Sequence, residues 1–177
     1  MNYILIMTEG TDEQALLNIL LERNILKFDK EELLMEEIYH ARQIETNILA
    51  YIQGLKPGNN VSIYRVGDKM TDKLKIPSSI LSNKIKEQYK VCTLPEFEIL
   101  MILNDGYYEE YIKQKSISKP SEFYKKKNKE FSKSRSYIYS YFNSLSNDEL
   151  IDLLNLYYKK RGHMHKKDEL SLKDLLR

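Results

Sequence analysis

Cys92 is the chain's lone cysteine. An internal disulfide is therefore excluded, and the content fits a reducing compartment. The apolar neighbours Val91 and Leu94 point to a packed thiol rather than a nucleophile. Long hydrophobic runs are also missing. No stretch approaches the roughly 20 apolar residues that span a bilayer, and the first apolar run, residues 3–7, is too short for a secretory leader and has no basic residues before it. The expected location is the cytoplasm, with no membrane partner. The sequence has no nucleophile elbow, no phosphate-cradling glycine loop and no cysteine-rich zinc pattern. Nothing in it supports nucleotide hydrolysis by this chain alone.

What is present fits one globular domain. The chain has 177 residues, 42% hydrophobic and 31% charged, enough to bury a single core without a linker dividing it. A core over about residues 1–105 and a mainly helical extension over about 106–177 are expected. The formal net charge of +2 says little by itself, but its distribution is uneven. Glu31, Glu32, Glu36 and Glu37 cluster early, whereas Lys125, Lys126, Lys127, Lys129, Lys133 and Arg135 cluster later.

The short apolar run 3–7 reads as a strand buried on both faces. Ala15, Leu16, Ile19 and Leu20 then recur at helical spacing, predicting a helix over 12–23 that Thr11 and Gln14 would cap as a box. Residues 33–39 are ambiguous between strand and helix and are read as a strand. Ile44, Ile48, Leu49 and Ile52 form a helical stripe ending before Gly54, and residues 61–66 make a third strand that ends at Gly67 and Asp68. Two βα units predict an α/β fold, a mostly parallel sheet covered by helices, with ligand groups at the carboxyl ends of its strands. Beyond residue 93 the reading is mainly helical, with helices over 96–103, 136–144 and 147–160. From Gly162 the chain reads as a mobile tail or a short final helix.

A carboxylate directly after a buried strand, followed by glycine and a helix start, stands at a rigid turn where it can hold a hard cation. That turn contains Glu9, Gly10 and Asp12. The segment Met7-Thr8-Glu9-Gly10-Thr11-Asp12-Glu13, between an apolar strand and Ala15-Leu16-Leu17, resembles the first motif of the Toprim fold. Topoisomerases, bacterial primases, recombination proteins and the overcoming-lysogenization-defect (OLD) nucleases share that fold. The resemblance implies a compact parallel sheet whose Glu9 acts with later acids around Mg2+ or Mn2+. It also implies a separate ATPase partner and a role in phage defence, as in the OLD branch.

The family's second motif, two aspartates separated by one residue, is altered here. Asp68 matches the strand-end position, but Asp72 lies four residues on, about 13 Å away in an extended chain. Lys69 or Lys73 would neutralise charge developing on a phosphate. A third acidic motif, Thr93-Leu94-Pro95-Glu96-Phe97-Glu98, resembles the late one of the OLD branch. Thr93 and Glu96 also suit a capping box, while Glu98 falls with Met101 and Ile102 on an apolar face. A carboxylate there is costly unless it is paired or bound to a cation.

The run from Lys125 to Arg135 interleaves lysines with Phe123, Tyr124, Phe131 and Tyr137. Such a pattern suits phosphate contacts and base stacking, and equally the outer face of a helix whose aromatics belong to the core. His163 and His165 near Asp168 read as a surface segment. The expectation is a metal-dependent Toprim-like nuclease acting on DNA or RNA, with Glu9, Asp68 and Lys69 in the chemistry. Glu9, Asp68, Glu98, Asp72 and Glu96 would hold the ion, and the basic run would bind nucleic acid. The rival is a Toprim-like binding subunit that has lost catalysis and works beside an ATPase.

Overall fold

The structure is a computed structural model that describes residues 1–68, 73–161 and 169–177. Its first strand, β1 (Asn2–Thr8), runs into helix α1 (Thr11–Glu22) and on to β2 (Leu33–His40), α2 (Thr46–Gly54) and β3 (Asn60–Gly67). The next elements are α3 (Ser78–Lys84), β4 (Ile85–Cys92), α4 (Ile99–Asn104) and α5 (Tyr108–Gln114). After α6 (Pro120–Lys127), α7 (Arg135–Ser144) and α8 (Asn147–Arg161), a two-residue strand β5 (Glu169–Leu170) completes the sheet. The five strands lie in the order β2-β1-β3-β4-β5 and every neighbouring pair is parallel. This is the α/β architecture that the sequence predicts.

β1 sits between β2 and β3, which explains its unbroken apolar run. Ile4 and Ile6 point into one core with residues of α1, α4 and α6–α8, while Leu5 and Met7 point into a second core with Ile48 and Ile52 of α2 and Ile80 of α3. Both faces are therefore covered, and a polar residue on either would lose its water.

The structure differs from the sequence reading in four places. Residues 85–92 form β4, which the reading left without an element. Lys86, Glu87 and Gln88 on it are exposed, and it leaves α3 without a glycine or proline to punctuate it. The capping box expected at Thr11 and Gln14 is absent, because Gly10 is the N-cap and Gln14 Nε2 donates instead to the Ile38 carbonyl at 2.7 Å. The second box, at Thr93 and Glu96, is absent too. α4 starts only at Ile99, Thr93 turns to α1, and Glu96 Oε2 accepts from Ser121 Oγ at 3.0 Å.

Fourth, residues 169–177 are not a mobile tail: the short final helix is there, as a 3-10 turn over Leu172–Leu175, and the unexpected strand β5 precedes it. Leu172 and Leu175 are buried, and the Arg177 amide donates to the Ile25 carbonyl at 2.9 Å. His163, His165 and Asp168 lie outside the described residues, as do Lys69 and Asp72.

Candidate active site at the carboxyl edge of the sheet

Parallel strands finish together at one edge, and the acidic turns of the sequence meet there. Glu9 follows β1 and Asp68 follows the adjacent β3, with the Glu9 amide donating to the Val66 carbonyl at 2.9 Å. The Thr93 amide, just past β4, donates to the Gly67 carbonyl at 3.1 Å and brings residues 93–98 to the same edge. A cleft of about 370 Å³ opens between these segments. Among the described residues six carboxylates line it, from Glu9, Asp12, Glu13, Asp68, Glu96 and Glu98, against two cationic side chains, Arg42 and Lys133.

Glu9 is held on two sides. Its carboxylate lies 3.7 Å from Arg65 Nη2, and the two side chains are 9% and 6% exposed. On the other side it presses against Gly67, where an added Cβ would fall 2.6 Å from Glu9 Cγ and 2.7 Å from Cδ and Oε2. Real Cβ atoms do not approach so closely, so the glycine is needed for space. Gly67→Ala should therefore push the Glu9 carboxylate out of its seat beside Arg65 and destabilise the fold by about 1–3 kcal/mol in a thermal melt, as overpacking at a buried site does. Gly54→Ala, whose methyl would meet nothing within 4 Å, should melt no lower than wild type.

Glu13 was absent from the expected site residues, although the sequence carried its signal. Position 13 shares a helical face with Leu16, Leu17 and Leu20, the buried stripe of α1. Its side chain accepts from Thr93 Oγ1 at 3.2 Å. Burial pushes its pKa from the ordinary 4.5 up to about 7, and the charges of Asp12 and Asp68 add to the rise against those local hydrogen bonds. Asp12 is raised as well, by burial first and then by the charge of Glu98.

Glu98 is 4% exposed in its side chain and meets Lys133 Nζ at 2.6 Å. The apolar face expected for it is thus a buried position with a specific cation beside it. Burial depresses the Lys133 ammonium, but the hydrogen bond and charge of Glu98, with Glu96 and Asp12 behind it, outweigh that and raise its pKa.

The basic run divides into unlike parts. Lys125 Nζ donates to the carbonyls of Lys129, at 2.9 Å, and Phe131, at 2.5 Å, closing the loop over 128–134. Lys127 pairs with Glu110 at 2.6 Å, and Lys133 reaches into the cleft. Lys126, Lys129 and Arg135 stay at the surface. Phe123, Tyr124 and Phe131 are packed in the core, Tyr124 edge to face with Phe131 and Phe123 edge to face with Tyr111, so these rings are closed to bases. Lys73 is exposed, and its carbonyl accepts from Gln43 Nε2 at 3.1 Å.

The donors around the cleft are carboxylate oxygens, the chemistry that suits a hard divalent cation. Among the described residues, however, no three Asp, Glu, His or Cys groups converge tightly enough to hold a metal ion. Glu9 and Glu98 are turned toward Arg65 and Lys133 instead.

Fold and site together define an all-parallel α/β domain with an acidic cleft at the carboxyl edge of its central strands. Compared with protein-family models, curated proteins and solved structures, the chain matches none. No helix among the described residues is long and apolar enough to cross a membrane.

Proposed function

We propose that the protein is a divalent-metal-dependent, Toprim-like nuclease of the cytoplasm that cleaves phosphodiesters of DNA or RNA, in the manner of the OLD branch and its role in phage defence. The observation that carries this reading is the gathering of six carboxylates along one cleft, where burial first, and the charges of Asp12 and Asp68 after it, push the pKa of Glu13 up to about 7. Such an arrangement is unfavourable for a folded chain unless a cation or a proton offsets it. When bound, Mg2+ or Mn2+ would polarise the phosphate and acidify a bound water. Glu9 and Asp68 would hold it from adjacent strand ends, with Glu98 and Glu96 approaching from the segment after β4. Lys69 and Asp72 remain candidates from the sequence alone.

Supercoiled DNA and single-stranded RNA, each incubated with the protein in magnesium and in manganese, provide the test. Cleavage that disappears with chelator supports the proposal. Exposed Lys126, Lys129 and Arg135 would contact the phosphate backbone. Replacing all three by alanine should weaken nucleic-acid binding and reduce the salt slope by about one for each phosphate no longer neutralised. An unchanged slope across a salt series would return these residues to plain surface.

One observation favours a second reading. Because no three carboxylates converge among the described residues, the domain would also serve as a catalytically weak binding subunit beside a separate ATPase. Absence of cleavage with the ATPase present, while nucleic acid still binds, would select it.

A further inference from the structure

Away from the cleft, the most irregular backbone of the sheet lies on β2, an edge strand with β1 on one side only. Its register against β1 passes from Ile4–Leu33 to Ile6–Ile38, so β2 spends five residues where β1 spends two. The surplus chain bulges through Met35 and Glu36 at φ 57° and 58°, a left-handed conformation that side chains rarely adopt and that clusters where proteins bind ligands or switch. Beside this bulge a groove of about 440 Å³ opens between α1, β2 and the start of α7. Leu21 and Ile38 give it an apolar lining, and Glu22, Glu36 and Glu37 outnumber Lys30 and Arg135 around it. Met35, next to Glu36, and Tyr139, which donates to Glu22 at 3.3 Å, leave further apolar surface exposed beside the groove.

A matching knob stands elsewhere on the same chain. Ile117, on the loop between α5 and α6, is 82% exposed, more than any other large apolar side chain among the described residues. The loop is firmly shaped, since the amides of Ile117 and Ser118 both donate to the Gln114 carbonyl at 3.0 Å and Ser118 is buried. An isoleucine is thus held out in water between exposed Lys115 and Lys119, which form no ion pair among the described residues.

We infer that the protein associates with itself, Ile117 of one copy entering the groove between α1, β2 and α7 of another while Lys115 and Lys119 meet Glu36 and Glu37. An apolar centre ringed by opposite charges is the anatomy of a protein interface. Knob and groove are different patches, so every copy offers both. The loop is seated against Pro95 and Glu96 of its own chain, and the Ile117 that fills a groove is therefore another molecule's. Nothing in this contact involves the acidic cleft.

Sedimentation velocity over a concentration series tests the contact. The wild-type mass should rise above that of a single chain as concentration increases, and added salt should lower it again. Ile117→Asp changes a side chain that already faces water, so the fold should stand while association weakens about tenfold or more, as loss of a central interface side chain does. Lys115→Glu with Lys119→Glu, and Glu36→Lys with Glu37→Lys, should each weaken association alone. An equal mixture of these two double variants should associate again, through the one contact whose charges match. A wild type that remains a single chain at every concentration, self-association that Ile117→Asp leaves unchanged, or a mixture that stays apart would overturn the contact.

Discussion

Cleavage by Glu9→Gln is expected to fall at least about a hundredfold below wild type, because losing even an outer partner of a metal ligand costs ten- to a hundredfold. The substitution keeps the side chain's size and removes its charge. A stability cost should accompany it, since Glu9 is the close acidic neighbour of buried Arg65, and leaving such a group poorly satisfied costs about 1–3 kcal/mol. Single-turnover cleavage and a thermal melt on the same preparation separate the two effects. An unchanged cleavage rate would remove Glu9 from the chemistry, whatever the melt shows.

Glu13→Gln should do the opposite to stability, and in a pH-dependent way. Between pH 4.5 and about 7 the folded chain holds a proton on Glu13 that the unfolded chain has released. Stability therefore falls as pH rises through that window and then levels off. The full loss corresponds to about 3 kcal/mol. Glutamine stays neutral throughout and can still accept from Thr93. The variant should match wild type near pH 4 and exceed it near pH 8, by roughly 5–10 °C in melting temperature for a domain of this size. Magnesium should restore part of the wild-type deficit at pH 8 by supplying the missing positive charge. Parallel pH profiles for the two proteins would mean that Glu13 is not strained in the folded state.

The contrast between Glu9 and Glu13 explains what the sequence could reveal. Glu9 and Asp68 each follow directly on an apolar strand, a pattern written in consecutive residues, so their meeting at one sheet edge followed from a parallel sheet. Glu13 had a legible signal in its spacing to Leu16, Leu17 and Leu20, masked by its place beside Asp12 in an ordinary acidic first turn. β4 was harder to see, because its solvent-facing residues break the apolar pattern that betrays β1 and β3. The partnerships of Arg65 with Glu9 and of Lys133 with Glu98 join residues 56 and 35 positions apart. No local pattern encodes such pairs, since they exist only once the sheet has formed and α6 and α7 have packed against α1 and α4.

The basic run was open in the sequence, which suited nucleic-acid contact and the outer face of a helix with core aromatics equally. Packing gives Lys125 to the loop, Lys127 to Glu110 and Lys133 to the cleft, and the aromatic spacing is that of core packing. Phe123, Tyr124 and Phe131 recur where α6 and its following loop must face inward.

The central claim is that the acidic cleft binds a divalent cation through Glu9 and Asp68. Anomalous scattering from a crystal soaked in manganese tests it most directly. The account predicts a peak in the cleft, within about 2.0–2.6 Å of oxygens from both carboxylates, and its disappearance in Glu9→Gln. A fully soaked crystal with no peak there, or with manganese bound only elsewhere on the surface, would contradict it.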